Sequence, residues 1–130
     1  MLLDTTFVID LMRGDEGAIT KATEIESALR QQRVSATTLF ELYYGVGRSG
    51  QPERERALVE DVLSSKPIYP GDTAVMRKAG RLAGELAAEG NSVGESDVVI
   101  GATATVVDEP VLTRNVEDFE RIPGVEVETY

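Results

Sequence analysis

The sequence predicts an α/β fold, a parallel sheet of roughly five strands flanked by helices. Three observations carry this expectation. Short apolar runs alternate along the chain with longer stretches of helical periodicity, the pattern of strands joined by crossover helices. The strand runs are apolar enough to be covered on both faces, which is how parallel sheets are buried. No internal repeat, low-complexity tract or linker interrupts the 130 residues, so residues 1–130 are expected to form a single domain.

Taken in order, Leu2-Leu3-Asp4 reads as a first strand that ends at an acid. Thr6 is placed to cap a helix running to Leu11 or Met12 and closed by Arg13-Gly14. From Glu16 to Gln32, Ile19, Ala22, Ile25, Ala28 and Leu29 recur at helical spacing. Residues 33–36 form a second strand, and Thr37-Thr38 opens a helix carrying Leu39, Leu42, Tyr43 and Val46. "GVGRSGQP", residues 45–52, is the clearest loop signal. A helix over residues 53–63 leads to a third strand at Pro67-Ile68-Tyr69. Asp72 opens a longer helix to about Glu89, and residues 96–107 form an almost wholly apolar, hence buried, helix. Val111-Leu112-Thr113 and Val125-Glu126-Val127 are the fourth and fifth strands, with a polar turn between them.

Composition narrows the chemistry. The chain has neither cysteine nor histidine, which removes disulfides, thiolate metal sites and the usual general base. Any catalysis must rest on carboxylates or a bound metal. The net charge is -10, from 23 acidic and 13 basic residues. Only Lys21, Lys66 and Lys78 are lysines. Such a surface suits solubility at high salt and gives nucleic acid no long-range attraction. No apolar run reaches the roughly 18 residues of a membrane helix, and Asp4 interrupts the only signal-like segment. A cytoplasmic location is expected.

In open parallel sheets ligands bind beyond the carboxyl ends of the strands. Asp4 ends the first strand, and Glu41 lies in the first turn after the second. Asp97 opens the buried helix just after Glu95, and Asn115 and Asp118 follow the fourth strand. Each has an ordinary reading alone. Asp4 would make an Asx turn or a cap. Glu41, three residues after Thr38, would complete a capping box. Asp97 would complement a helix N-terminus, and Asn115 and Asp118 would suit a turn. Jointly these readings fare worse, because acids gathered at one edge repel unless a cation neutralises them. No lysine lies in these segments, and Arg13 and Arg114 are too few to balance them. A hard divalent cation with oxygen ligands fits, and such an ion activates water and stabilises displacement at phosphorus.

The segments "LLDTTFVIDLMRG", "VSATTLFELYYGV", "SDVVIGATA" and "VLTRNVEDFERIPGVEV" resemble, in order and spacing, the PIN domain. More narrowly they are similar to the VapC-type ribonuclease toxins of prokaryotic toxin–antitoxin pairs. The resemblance covers essentially the whole chain. It implies a three-layer fold and Mg2+- or Mn2+-dependent hydrolysis of RNA phosphodiesters, leaving a 5′-phosphate. Carried over, the family's acids fall on Asp4, Glu41 and Asp97, with Asp4 and Asp97 holding the metal and Glu41 completing coordination or orienting water. The fourth position, aspartate in many members, is Asn115 here, with Asp118 of the "DF" pair nearby. One of these two would fix a water. Thr6 stands where the family has a small polar residue that steadies the acids.

The resemblance also implies an RNA substrate, a homodimer and a cognate antitoxin lying over the active site. Tyr43-Tyr44 and Leu11-Met12 are the surfaces considered for partners, with Tyr43 expected in the core beside Leu39. Arg13, Arg48 and Arg114 are expected to contact the RNA backbone, since arginine grips phosphate bidentately. Other phosphotransfer folds fail on particular residues. Thr6 replaces the second aspartate of a haloacid-dehalogenase-like site, the late lysine of a receiver domain is missing, and no GxxxxGK[ST] loop occurs. The remaining alternative is a catalytically inactive PIN-like module that only binds a partner protein or RNA.

Overall fold

A computed structural model describes residues 1–130. The elements follow in the order β1 (Leu2–Leu3), α1 (Thr5–Arg13), α2 (Glu16–Ser27), β2 (Arg33–Ser35), α3 (Ala36–Arg48) and α4 (Pro52–Leu63). Then come β3 (Ile68–Tyr69), α5 (Thr73–Ala88), α6 (Glu95–Val107), β4 (Val111–Leu112), α7 (Val116–Glu120) and β5 (Val127–Glu128). The five strands form one sheet, ordered β3-β2-β1-β4-β5, and every pairing is parallel. The expected α/β architecture is present.

Strands this short contribute little pairing on their own, so the sheet depends on burial of both faces. Leu2 and Val111 point to one side, into a core with Leu82, Val98, Ile100 and Phe119. Leu3, Val34 and Leu112 point to the other, against Phe7, Val8 and Ile25. Helices α5 to α7 cover the first face and α1 to α4 the second, which makes three layers. Phe7 and Phe119 are fully buried, and truncating either to alanine would cost about 3–5 kcal/mol. The sheet grows outward from β1 to β3 and then restarts on the other side of β1 with β4. The topological switch point, where such sheets open a crevice, therefore lies between β1 and β4.

Several element boundaries differ from expectation. Helix α2 stops at Ser27 rather than Gln32. Leu29 adopts φ 55°, and the N–H groups of Leu29 and Arg30 bond the carbonyls of Glu26 and Ile25, a Schellman stop. Leu29 is thus no core residue; it is 92% exposed. Gly45 and Gly47 continue α3 to Arg48, which reduces the expected loop to residues 49–51. Packing of α3 over the sheet overrides the weak helix preference of glycine. The buried stripe of α3 runs through Thr38 and Leu42, so Tyr43 is exposed, not core. Leu11 and Met12 pack against the second core. The polar turn before β5 contains α7, and β5 begins two residues later than expected. Val125 and Ile122 are occupied in packing on α6, where a Cβ at Gly101 would lie 2.9 Å from Ile122 Cδ1.

Candidate active site

Asp4 follows β1 directly, and its N–H bonds the Leu112 carbonyl at 3.0 Å, so sheet pairing places it at the switch point. It is the N-cap residue of α1 but its side chain makes no cap bond; Thr6, expected as the cap, lies inside the helix. The Asp4 carboxylate turns toward the crevice and is 2% exposed. Its Oδ2 accepts from Thr6 Oγ1 at 2.5 Å and Thr113 Oγ1 at 2.7 Å, while Oδ1 takes no side-chain donor. Burial raises the carboxyl above its ordinary range, the Thr6 and Thr113 hydroxyls oppose the rise, and Glu41 adds to it.

Glu41 comes from the second turn of α3, not the first, because the helix starts at Ala36 with Ser35 as its N-cap. The capping-box reading fails: Ser35 Oγ accepts from the Thr37 N–H, and Glu41 reaches across to α1. Thr5 Oγ1 donates to Glu41 Oε1 at 2.8 Å. A hydroxyl has one proton, so in the 2.9 Å contact between Thr5 and Thr38 Thr38 is the donor. This relay fixes Glu41 from behind and leaves Oε2 free.

Asp97 lies in the first turn of α6. Asn115 Nδ2 donates to Asp97 Oδ2 at 3.2 Å and to Asp118 Oδ2 at 2.8 Å, so one carboxamide bridges two carboxylates. Thr113 Oγ1 in turn accepts from the Asn115 N–H at 2.8 Å, which joins this group to Asp4. Asp97 is pushed up to about 6, by burial first and then by Asp4, Asp118 and Glu41, with Asn115 opposing. The structure thus draws Asp4, Thr6, Glu41, Asp97, Asn115 and Asp118 together at the switch point. Glu95 lies on the rim of the adjoining cleft with Glu41.

Sequence reading missed Thr5, Thr38 and Thr113. Thr5 and Thr113 each sit one residue beyond or within a strand end facing the acids, a placement visible only once the strands are paired. Two of the three arginines are engaged elsewhere. Arg13 makes a fork with Glu55, and Arg114 binds Asp10 and Asp15. Arg48 lies 5.7 Å from the Tyr44 ring centre with no carboxylate partner. It lines a cleft of about 450 Å³ that also takes in Glu41 and Arg13.

The donors available are carboxylate and amide oxygens, with no sulfur or imidazole, a set that suits a hard divalent cation. The mutual repulsion that raises Asp97 is the second mark of a site short of positive charge. Arg121 is the cation nearest the group, 3.6 Å from Asp118. As the side chains stand, no three carboxylates are disposed to grip one ion. Like charges without a cation between them stand apart.

The PIN domain family profile matches residues 1–125. The chain is 38% identical over 97 residues, 75% of its length and 74% of the relative's, to the tRNA(fMet)-specific endonuclease VapC of Salmonella typhimurium. The structure superposes with TM-score 0.88 on DNA-bound VapBC from Salmonella typhimurium, at 34% identity, covering 98% of this chain and 96% of that one. It also matches VapBC-5 of Mycobacterium tuberculosis, a member of the VapBC family of toxin–antitoxin systems, with TM-score 0.70 and 27% identity over 98% and 94% of the chains.

Proposed function

This chain belongs to the PIN domain family, and from that premise we propose that it is a metal-dependent endoribonuclease, the toxin of a type II toxin–antitoxin pair, acting on RNA in the cytoplasm. The observation that carries the reading is the convergence of Asp4, Glu41 and Asp97 at the β1–β4 switch point. There they meet hydroxyls and an amide rather than an ammonium or guanidinium. Similarity to VapC endonucleases supports the reaction class.

In this reading Asp4 Oδ1 and the Asp97 carboxylate hold Mg2+ or Mn2+. When bound, the ion supplies positive charge at the phosphoryl oxygens and makes water a better nucleophile. Thr6 and Thr113 hold Asp4 by its other oxygen, so Oδ1 keeps one direction. Glu41, fixed through Thr5 and Thr38, offers Oε2 to orient the attacking water. Asn115 keeps Asp97 and Asp118 in one plane of approach and spaces their charges. Arg48, the arginine of the cleft without a carboxylate partner, is the residue expected to meet an RNA phosphate.

Partners follow the same pattern. Phe40, Tyr44 and Met76 are exposed around a cleft of about 600 Å³ that opens onto Glu41. We assign this cleft to a segment of a cognate antitoxin, consistent with the VapBC assemblies of similar structures, and expect the toxin to act as a homodimer. The inactive-module alternative is favoured by one observation, the spread of the carboxylates.

Calorimetric titration of Mg2+ and Mn2+ into antitoxin-free protein, with RNA cleavage assayed alongside, decides between them. Binding and cleavage that vanish in Asp4→Asn and Asp97→Asn sustain the nuclease. Wild-type protein that neither binds an ion nor cleaves RNA, with RNA present in the titration, moves the inactive module to first place.

A further inference from the structure

We propose that Tyr130 and Arg114 form a strut that positions the active-site turn of residues 113–115, an inference that rests on the nuclease reading above. Arg114 sits between the two residues that organise the acids. Thr113 holds Asp4, and Asn115 holds Asp97 and Asp118. The Arg114 side chain is bonded to α1 and to the start of α2. Its Nη1 donates to Asp10 Oδ2 at 3.2 Å and Asp15 Oδ1 at 3.4 Å, and its Nη2 to Asp15 Oδ2 at 2.7 Å. The Tyr130 ring lies under the guanidinium, 4.4 Å from its carbon. Its hydroxyl donates to the same Asp10 oxygen at 2.6 Å.

The strut is anchored at depth. Tyr130 meets the fully buried Phe7 edge-on, at 4.8 Å and 74°. Asp15 also caps α2 through the Ala18 N–H at 2.9 Å. The backbone makes room for it as well, since a Cβ at Gly17 would stand 2.7 Å from Arg114 Nη2. An ordinary surface ion pair has none of these features. The turn needs such a hold because little else limits it, with a two-residue strand before and a five-residue helix after. Rotation of this turn would move Thr113 and Asn115 together, and with them the oxygens of Asp4, Asp97 and Asp118.

The test uses three variants of the full chain. Tyr130→Ala removes the ring, Tyr130→Phe keeps it without the hydroxyl, and Gly17→Ala displaces the guanidinium while improving helix propensity. For each, RNA cleavage (kcat and KM), Mn2+ affinity, the thermal midpoint and the side-chain amide resonances of Asn115 are measured. Asn91 is the only other asparagine, so assignment is direct. Tyr130→Ala and Gly17→Ala should each lower kcat and Mn2+ affinity about tenfold, the size of effect seen when groups behind a metal ligand are lost. KM should stay within about twofold, and the Asn115 amide should shift. Tyr130→Phe should recover most of kcat, and Gly17→Ala should lose activity without any fall in midpoint. Unchanged kcat, Mn2+ affinity and Asn115 resonances in both Tyr130→Ala and Gly17→Ala would overturn the strut, as would activity losses that only follow the midpoint. If the wild type neither binds Mn2+ nor cleaves RNA, the nuclease reading fails, and the Asn115 resonances alone decide. A shift in both variants sustains the strut, and its absence overturns it.

Discussion

The two edges of the sheet treat acids in opposite ways. At the amino-terminal edge, Glu109 is matched by the Arg33 guanidinium at 2.9 Å and the Met1 amino group at 3.3 Å. Beside it Arg30 grips Glu128. At the carboxyl-terminal edge, Asp4, Glu41 and Asp97 are met by threonine hydroxyls and one asparagine amide. Neutral donors orient a carboxylate without cancelling its charge. The first edge is built for stability, and the second accepts repulsion to keep a negative site open.

Removing charge at the open edge should have the largest effect. Asp4→Asn and Asp97→Asn are expected to abolish Mn2+ binding and to lower RNA cleavage by at least about 100-fold. Calorimetry and a single-turnover assay would check this, and retained binding in both variants would erase the contrast.

Next in size is a pH effect. Burial and neighbouring acids raise Asp97 from the ordinary 3.8 to about 6, so the folded chain holds this proton more tightly than the unfolded chain. Metal-free stability from this group is therefore fully present below pH ~4 and lost as pH rises through about 6. The loss should be on the order of 1–2 kcal/mol after solvent screening. It is read as the difference between wild type and Asp97→Asn in urea unfolding at pH 4 and 8, and Mn2+ should cancel it. A flat difference would mean that the acids do not feel one another.

At the opposite edge, Glu109→Gln should cost about 1–2 kcal/mol by leaving Arg33 and the Met1 amine short of a partner. Cleavage should not change, and a loss of activity with stability intact would show the edges to be coupled. The smallest effect is expected from Leu29→Gly on the same edge. Leu29 holds φ 55° and packs on little, so glycine should stabilise by about 0.5–1 kcal/mol. Denaturant midpoints would register the gain.

The architecture was legible because apolar runs and helical periods depend on neighbours in sequence. The sheet order placed the acids where the strand-end rule expected them, and the bridging of Asp97 by Asn115 needed only the proximity of two loops. What escaped depends on partners distant in the chain. The Thr5–Glu41 bond spans 36 residues and the Thr113–Asp4 bond spans 109, so neither hydroxyl carries a local signal. Arg13 and Arg114 looked free for RNA because their carboxylates, Glu55, Asp10 and Asp15, are ordinary surface acids until α1, α2 and α4 pack together. Glycines 45 and 47 read as a loop because propensity is local and packing is not. Leu29 fits a helical stripe by spacing, yet two backbone bonds end the helix before it.

Asp4 is bonded through its own amide into the central pairing of β1 with β4. A fluctuation that frees this amide must part the two middle strands, so its exchange with deuterium should track global unfolding rather than local opening. The centre of the site is consequently as durable as the molecule, and no fraying of a lid or loop can disassemble it. Control over such a site has to come from covering it, and release of the cover returns it intact without refolding.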